Sequence, residues 1–234
     1  MILREIWFRS TIYIVLLNYI IVSYKVKFDN VQTTLNEFSE KMKQLESNRE
    51  TLIKETREVT LLCSKSIILL HQRELSEAEV LLNKSSILIK NLKKHIIFDL
   101  ERYLWPAEQE YVEAFILKEI IEKKSNLSDH NSLNVSLNAY VTGLLDCIGE
   151  IKRMIYDYLR KNDFDFSISL FEIMHSIYDL IYPFSIYDNV IPGIRKKFDV
   201  SKRIIDDVRI TMTEEYRRIS FLNQFKNLSE GIQT

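Results

Sequence analysis

Apolar residues recur at helical spacing along most of the chain and mark out its elements. Phe28, Val31, Leu35, Phe38, Met42 and Leu45 return every three or four residues, which predicts a helix over 28–47. Asn48 suits the cap of a second helix over 49–73, whose face carries Leu52, Ile53, Val59, Cys63, Ile67 and Leu70. A third is expected over 75–103, where Ser76 and Glu79 have capping-box spacing. Pro106 fits the first turn of a fourth, running to Lys124. SNLSDHNSLN (125–134) is a polar loop, a fifth helix is expected over 133–161, KNDFD breaks it, and a sixth runs to Tyr182. YPFSIYDNVIPG (182–193) is a second loop before a last helix over 194–224. No strand alternation or repeat interrupts this pattern. It predicts an all-α, single-domain bundle of about seven helices over 28–226, after an extension over 1–27 and before a frayed tail over 227–234.

Composition narrows the class. Of 234 residues, 46% are apolar and 28% charged, as in a soluble globular protein. Only four glycines and three prolines leave too little turn chemistry for an all-β fold, and no glycine-rich phosphate loop is present. A net charge of −1 means that nucleic-acid binding would need a local basic patch. Cys63 and Cys147 lie in apolar helical patterns and read as reduced, buried thiols of a cytoplasmic protein. The uncharged run STIYIVLLNYIIVSY (10–24) is shorter than the roughly 20 residues of a membrane span. It reads as an extra helix packing on a partner or as an upstream extension from a misassigned start, ahead of a signal anchor, and no small-residue cleavage site follows it.

The candidate chemistry lies in PAEQEYVEAFILKEIIEKK (106–124). At about 100° per residue, Ile120, Glu113, Leu117, Glu110, Ile121 and Ala114 share one arc of roughly 120°. Glu108, Lys118 and Glu119 fall opposite, which reads as the solvated face. Glu110 and Glu113 therefore sit on the apolar side, where unpaired carboxylates are costly and need a cation. On the fifth helix, Asp146 and Glu150 are four apart and share a face with Gly143 and Gly149. Glycine inside a helix costs about 1 kcal/mol relative to alanine, so a close approach by another helix or a substrate backbone is expected there. Four carboxylates on two helices make a hard oxygen set suited to Mg²⁺ or Mn²⁺, and such a metal beside a phosphodiester promotes hydrolysis. The alternative is that Asp146 and Glu150 face solvent and pair with Lys152 or Arg153.

RETLIKETREVTLLCSKSIILLHQ (49–72), QEYVEA (109–114), YVTGLLDCIGEIKRM (140–154) and PGIRKKFDVSKRIIDDVR (192–209), in this order and spacing, resemble the translin family. The resemblance covers about residues 30–220 and is nearer to the translin-associated factor X branch. It implies an all-α fold of about seven helices in a closed, barrel-shaped octamer with inward-facing sites. It also implies single-stranded RNA binding, extending to single-stranded DNA, and Mg²⁺-dependent endoribonuclease activity. A paralogous translin-type subunit could share the assembly. Matched motif by motif, the resemblance makes Glu110, Glu113 and Asp146 catalytic metal ligands, with Glu150 beside them. DCIGEI stands where DLTGEL is typical, and the amino-terminal segment is additional.

In such proteins RNA contacts come from basic residues of the second helix, which here read Lys54, Arg57, Lys65, His71 and Arg73. Lys54, Arg57 and Lys65 fall within about 80° on the wheel. The plainer reading pairs them with Glu50, Glu55 or Glu58, and makes His71 a capped core histidine. Arg195, Lys196, Lys197, Lys202 and Arg203 crowd a helix start, against the helix dipole, which points to an anion or an acidic partner surface. Glu172 and His175 have the spacing of a ferritin-like half-site, but a di-iron centre needs a second such pair, and none is found. Two rival functions stand beside the nuclease: a non-catalytic single-stranded RNA or DNA-binding oligomer, and a membrane-anchored helical adaptor.

Overall fold

The computed structural model describes residues 13–15 and 27–231, with side chains through residue 224. From Asp29 onward seven α-helices follow one another, and no strand occurs among the described residues. They are α1 (Asp29–Gln72), α2 (Leu75–Leu92), α3 (Trp105–Ile121), α4 (His130–Leu133), α5 (Leu137–Arg160), α6 (Phe164–Ile181) and α7 (Ile194–Gly231). The chain forms two compact units, Met1–Ser47 and Asn48–Thr234. Apart from the helical residues 13–15, the apolar run 10–24 lies outside the described residues. No helix among the described residues is long and apolar enough to cross a membrane.

Boundaries differ from the sequence expectation where a local signal loses to helix continuation or to a distant contact. Asn48 caps nothing: α1 runs unbroken through it. Ser76 lies inside α2, which starts after Glu74 without a side-chain cap. The helix expected over 75–103 ends at Leu92, and short 3-10 turns follow at Lys93–His95 and Leu100–Tyr103. The Lys93 ammonium reaches Glu108 at 3.1 Å and the Asn134 carbonyl at 2.5 Å, tying this corner to α3 and to the end of α4. The helix expected over 133–161 is interrupted at Asn134, which adopts a left-handed conformation (φ 52°). α5 restarts behind Ser136, whose hydroxyl accepts from the Ala139 amide. The KNDFD break is as read: Asn162 is left-handed (φ 59°), and the Asp163 carboxylate accepts from the Phe166 amide at 3.1 Å.

The second unit is organised around α3 and α5. α3 packs on α2 and α5, and α5 also packs on α6 and α7. Ile116, Leu117, Ile148 and Ile151 are fully buried there. Leu52, Val59, Cys63 and Leu70 of α1 are buried as well, and the Ser66 hydroxyl donates to the Ala78 carbonyl at 3.2 Å, seating α1 on α2.

Close contact between α3 and α5 depends on Gly143. A Cβ there would lie 2.7 Å from the Gln109 carbonyl oxygen and 2.8 Å from the Val112 Cβ, so the expected close approach of another helix is met. A Cβ at Gly149 would meet nothing within 4 Å. The two glycines should therefore respond oppositely in urea denaturation. Gly143→Ala is expected to destabilise by about 1–3 kcal/mol through overpacking. Gly149→Ala should stabilise by up to about 1 kcal/mol through helix propensity alone. Equal responses would contradict this packing.

Candidate active site

α3 is buried around most of its circumference, which corrects the reading of Glu108, Lys118 and Glu119 as a solvated face. Their exposures are 1%, 6% and 2%. Each is buried because each is paired. Glu108 accepts from the Ser136 amide and faces Lys93, while Glu119 accepts from the Ser128 amide and hydroxyl, both at 2.7 Å. Lys118 is 2.7 Å from Glu122. These acids serve as anchors for the turns after α3 and before α5, an acceptable fate for buried charge once partners are supplied.

Glu110 and Glu113 are half-buried, on the side of α3 that looks across to Asp146 and Glu150 of α5. The four carboxylates act on one another. Burial first, and then repulsion from Asp146, Glu110 and Glu150, pushes the Glu113 carboxyl up to about 8. Glu110 is raised by burial and by Asp146 and Glu150. Asp146 is also raised by burial, and Lys197 pulls it back down. The field reaches the two thiols. Burial lifts Cys63 to about 12, with Glu110 and Glu113 adding to it, and burial lifts Cys147 well above the usual thiol range, with Glu113, Glu150 and Asp146 adding.

Four neighbours surround Asp146 and Glu150. The Lys197 ammonium, in the first turn of α7, donates to both Asp146 oxygens at 2.5 and 2.7 Å. The Gln109 amide donates to Asp146 at 2.6 Å. His71 Nε2 lies 2.5 Å from Glu150, and Arg153 lies 3.9 Å from it. Asp146 therefore does not pair with Lys152 or Arg153. Lys152 instead reaches Asp207 at 2.5 Å. The basic start of α7 does meet an acid, and the acid belongs to the same chain. Its helical position alone pointed to an anion without naming it, and Gln109 stood out only as the first residue of QEYVEA, with no role assigned.

The five residues expected to hold RNA divide. Lys54, Arg57 and Lys65 are exposed on α1. His71 is not available to phosphate, because its side chain is 5% exposed and committed to Glu150. It is the helix-end histidine of the plainer reading, but its partner is a carboxylate of the acid set. Arg73, left-handed just past α1 (φ 70°), donates to the Tyr158 hydroxyl and lies over that ring at 5.2 Å. His175, from the rejected half-site, accepts from Arg209 at 2.8 Å.

The donor set suits a hard divalent cation: four oxygen-only ligands that repel one another, facing one ammonium. Among the described residues no three His, Cys, Asp or Glu side chains already stand in a coordinating group, and Lys197 takes the place of a cation at Asp146.

Comparison with known proteins agrees with this architecture. The crystal structure of AfC3PO superposes with a TM-score of 0.71 at 29% identity, covering 80% of this chain and 99% of that one. AfC3PO in its duplex RNA complex gives 0.69 at 28%, over 81% and 99%. Apo-NeC3PO, at 20% identity and a TM-score of 0.66, shares the fold. Uncharacterized protein MJ0175 of Methanocaldococcus jannaschii is 25% identical over 210 residues, spanning 88% of this chain and 92% of its own. The translin family model matches residues 47–209, most of the chain and all of the acid site, and the chain belongs to the translin family.

Proposed function

We propose that this protein is a Mg²⁺-dependent endoribonuclease of the translin-associated factor X type, which binds single-stranded RNA and works as a closed octamer. The observation that carries this reading is the gathering of Glu110, Glu113, Asp146 and Glu150 on two facing helices, where burial first and then their mutual repulsion hold the Glu113 carboxyl near 8. Acids gathered at such a cost suit a site that a cation completes. A Mg²⁺ held by these four residues would neutralise charge on a scissile phosphate and acidify a water for attack. The chain's own groups prepare that arrangement. Gln109 orients Asp146, His71 orients Glu150, and Lys197 balances the acids until it is released toward the phosphate. Gly149, open on the same helix, leaves room for a nucleic-acid backbone beside Glu150.

Incubation of end-labelled RNA with Mg²⁺ and with EDTA tests this reading. Because AfC3PO has been captured with duplex RNA, both single-stranded and duplex substrates belong in the assay. Metal-dependent cutting that leaves 5′-phosphate and 3′-hydroxyl ends is expected, whereas 2′,3′-cyclic ends would sink the mechanism.

The Lys197–Asp146 pair supports a second reading, a binding module without turnover. It predicts tight RNA binding indifferent to Mg²⁺ and to Asp146→Ala. Both readings place phosphates on α1. The triple variant Lys54→Ala/Arg57→Ala/Lys65→Ala should weaken binding uniformly across sequences. It should also reduce the slope of log K against log salt by about 2, at roughly 0.7 per phosphate contact for single strands. Unchanged slopes in fluorescence-anisotropy titrations would move the RNA elsewhere.

A further inference from the structure

The first half of α1 carries an apolar stripe for which the described residues provide no cover. Phe28, Val31, Leu35 and Phe38 are 63%, 52%, 59% and 56% exposed, and Met42 is 36% exposed. Together with Leu45 they alternate steps of three and four residues without exception over 18 residues. A helix that buries itself on a globular core shows a wider stripe with added positions. Two apolar positions per seven is the narrow seam that meets one other helix. The register is not accidental to this stretch. Leu52, Thr56, Val59, Cys63, Ser66 and Leu70 continue it, and these are buried. The remaining faces of 28–47 are polar, and the outward position Glu40 is engaged with Lys43 at 2.8 Å. The stretch before residue 47 also precedes the part of the chain that the translin family model matches.

We propose that residues 28–45 pair in parallel and in register with the same residues of a second copy, forming a two-stranded coiled coil. Leu35 and Met42 would meet their own counterparts at the a positions, and Val31, Phe38 and Leu45 theirs at d. The flanking residues favour this orientation. A g residue faces the e residue five positions on in the partner helix, which sets Lys41 against Glu46, Thr34 against Ser39 and Lys27 against Gln32. One attractive contact recurs on each side by symmetry, and no like charges meet. The left-handed supercoil keeps this seam in contact along its length. The pairing depends on no feature of the acid site.

Parallel, in-register pairing has a signature that other packings lack: each a residue touches itself across the interface. Leu35→Cys, in the full-length protein, is therefore expected to give a disulfide-linked dimer on mild oxidation with diamide. Glu40→Cys, on the outer face, should form one at least about tenfold more slowly. The native thiols do not interfere, since Cys63 and Cys147 are both 0% exposed. Non-reducing electrophoresis reads the result, and Leu35→Cys/Phe38→Glu should link at least about tenfold more slowly than Leu35→Cys. Both sites are exposed, so the folded unit over 48–234 should be unaffected, as far-ultraviolet circular dichroism can check. If Leu35→Cys stays unlinked, as it would were the seam covered by residues 10–24 of its own chain or by an antiparallel helix, the proposal is overturned. Linking no faster than Glu40→Cys, or linking in Leu35→Cys/Phe38→Glu as fast as in Leu35→Cys, would overturn it equally.

Discussion

The Glu113→Ala/Asp146→Ala protein is expected to bind RNA like the wild type and to cleave it at least ~100-fold more slowly at any Mg²⁺ concentration. The two substitutions remove one carboxylate from each helix, so neither α3 nor α5 retains its pair. Binding should survive because Lys54, Arg57 and Lys65 lie on α1 and do not contact these acids. Two effects on stability oppose each other in this variant: losing mutually repelling carboxylates relieves an unfavourable field, whereas Asp146→Ala, in the double variant as in the single, leaves the Lys197 ammonium without its partner and costs stability for a reason unrelated to catalysis. Single-turnover cleavage and anisotropy binding on the same preparations separate these effects. Loss of binding in parallel with cleavage would mean that the acids hold the fold or the RNA. Unchanged cleavage would remove them from the chemistry, and the binding-module reading would then stand.

Without added metal, folding stability should fall as pH rises from about 5 to 8, and Glu113→Gln should remove much of that fall. The sign follows from where the proton is held. An unfolded Glu113 releases its proton near 4.5, while in the folded protein it is retained up to about 8. Between those values the folded state binds the extra proton, so raising pH favours unfolding. Below about 4.5 both states are protonated and the stabilisation is fully present. Above about 8 both are ionised and it is gone. The loss is on the order of 5 kcal/mol. Glu110 and Asp146 are raised as well and act in the same direction, so some slope remains in Glu113→Gln. Mg²⁺ should oppose the fall in the wild type at pH 8, because a cation that binds only the folded acids stabilises them by mass action. Thermal melts at pH 5, 6.5 and 8, with and without Mg²⁺, provide the readout. A flat profile, or one that Glu113→Gln leaves unaltered, would show that burial and its acidic neighbours do not hold the proton on Glu113.

Much of this protein was legible from spacing. Helical periodicity is a local property, set by 3.6 residues per turn, and it found the helical stretches, although it split Asp29–Gln72 in two and ran the helix that ends at Leu92 on to residue 103. The same local geometry put Glu110 beside Glu113 and Asp146 beside Glu150, and it flagged Gly143 as a point of close approach. Four motifs in order then placed the chain in its family. What spacing could not convey was which residues meet across the bundle. Glu108 and Glu119 look solvated on a helical wheel and are buried, because Ser136, Lys93 and Ser128 lie 9 to 28 residues away in the chain or in a separate turn. Lys197 reads as one of several basic residues, until α7 brings it onto Asp146. His71 reads as a helix end or a phosphate contact, until α1 delivers it to Glu150. A wheel describes one helix in isolation, whereas burial, ion pairing and pKa depend on its neighbours. The sequence by itself determined the helices and the acids they carry. Only tertiary packing decided which charges are neutralised and which are left to repel, because both depend on groups that other helices bring within a few ångströms.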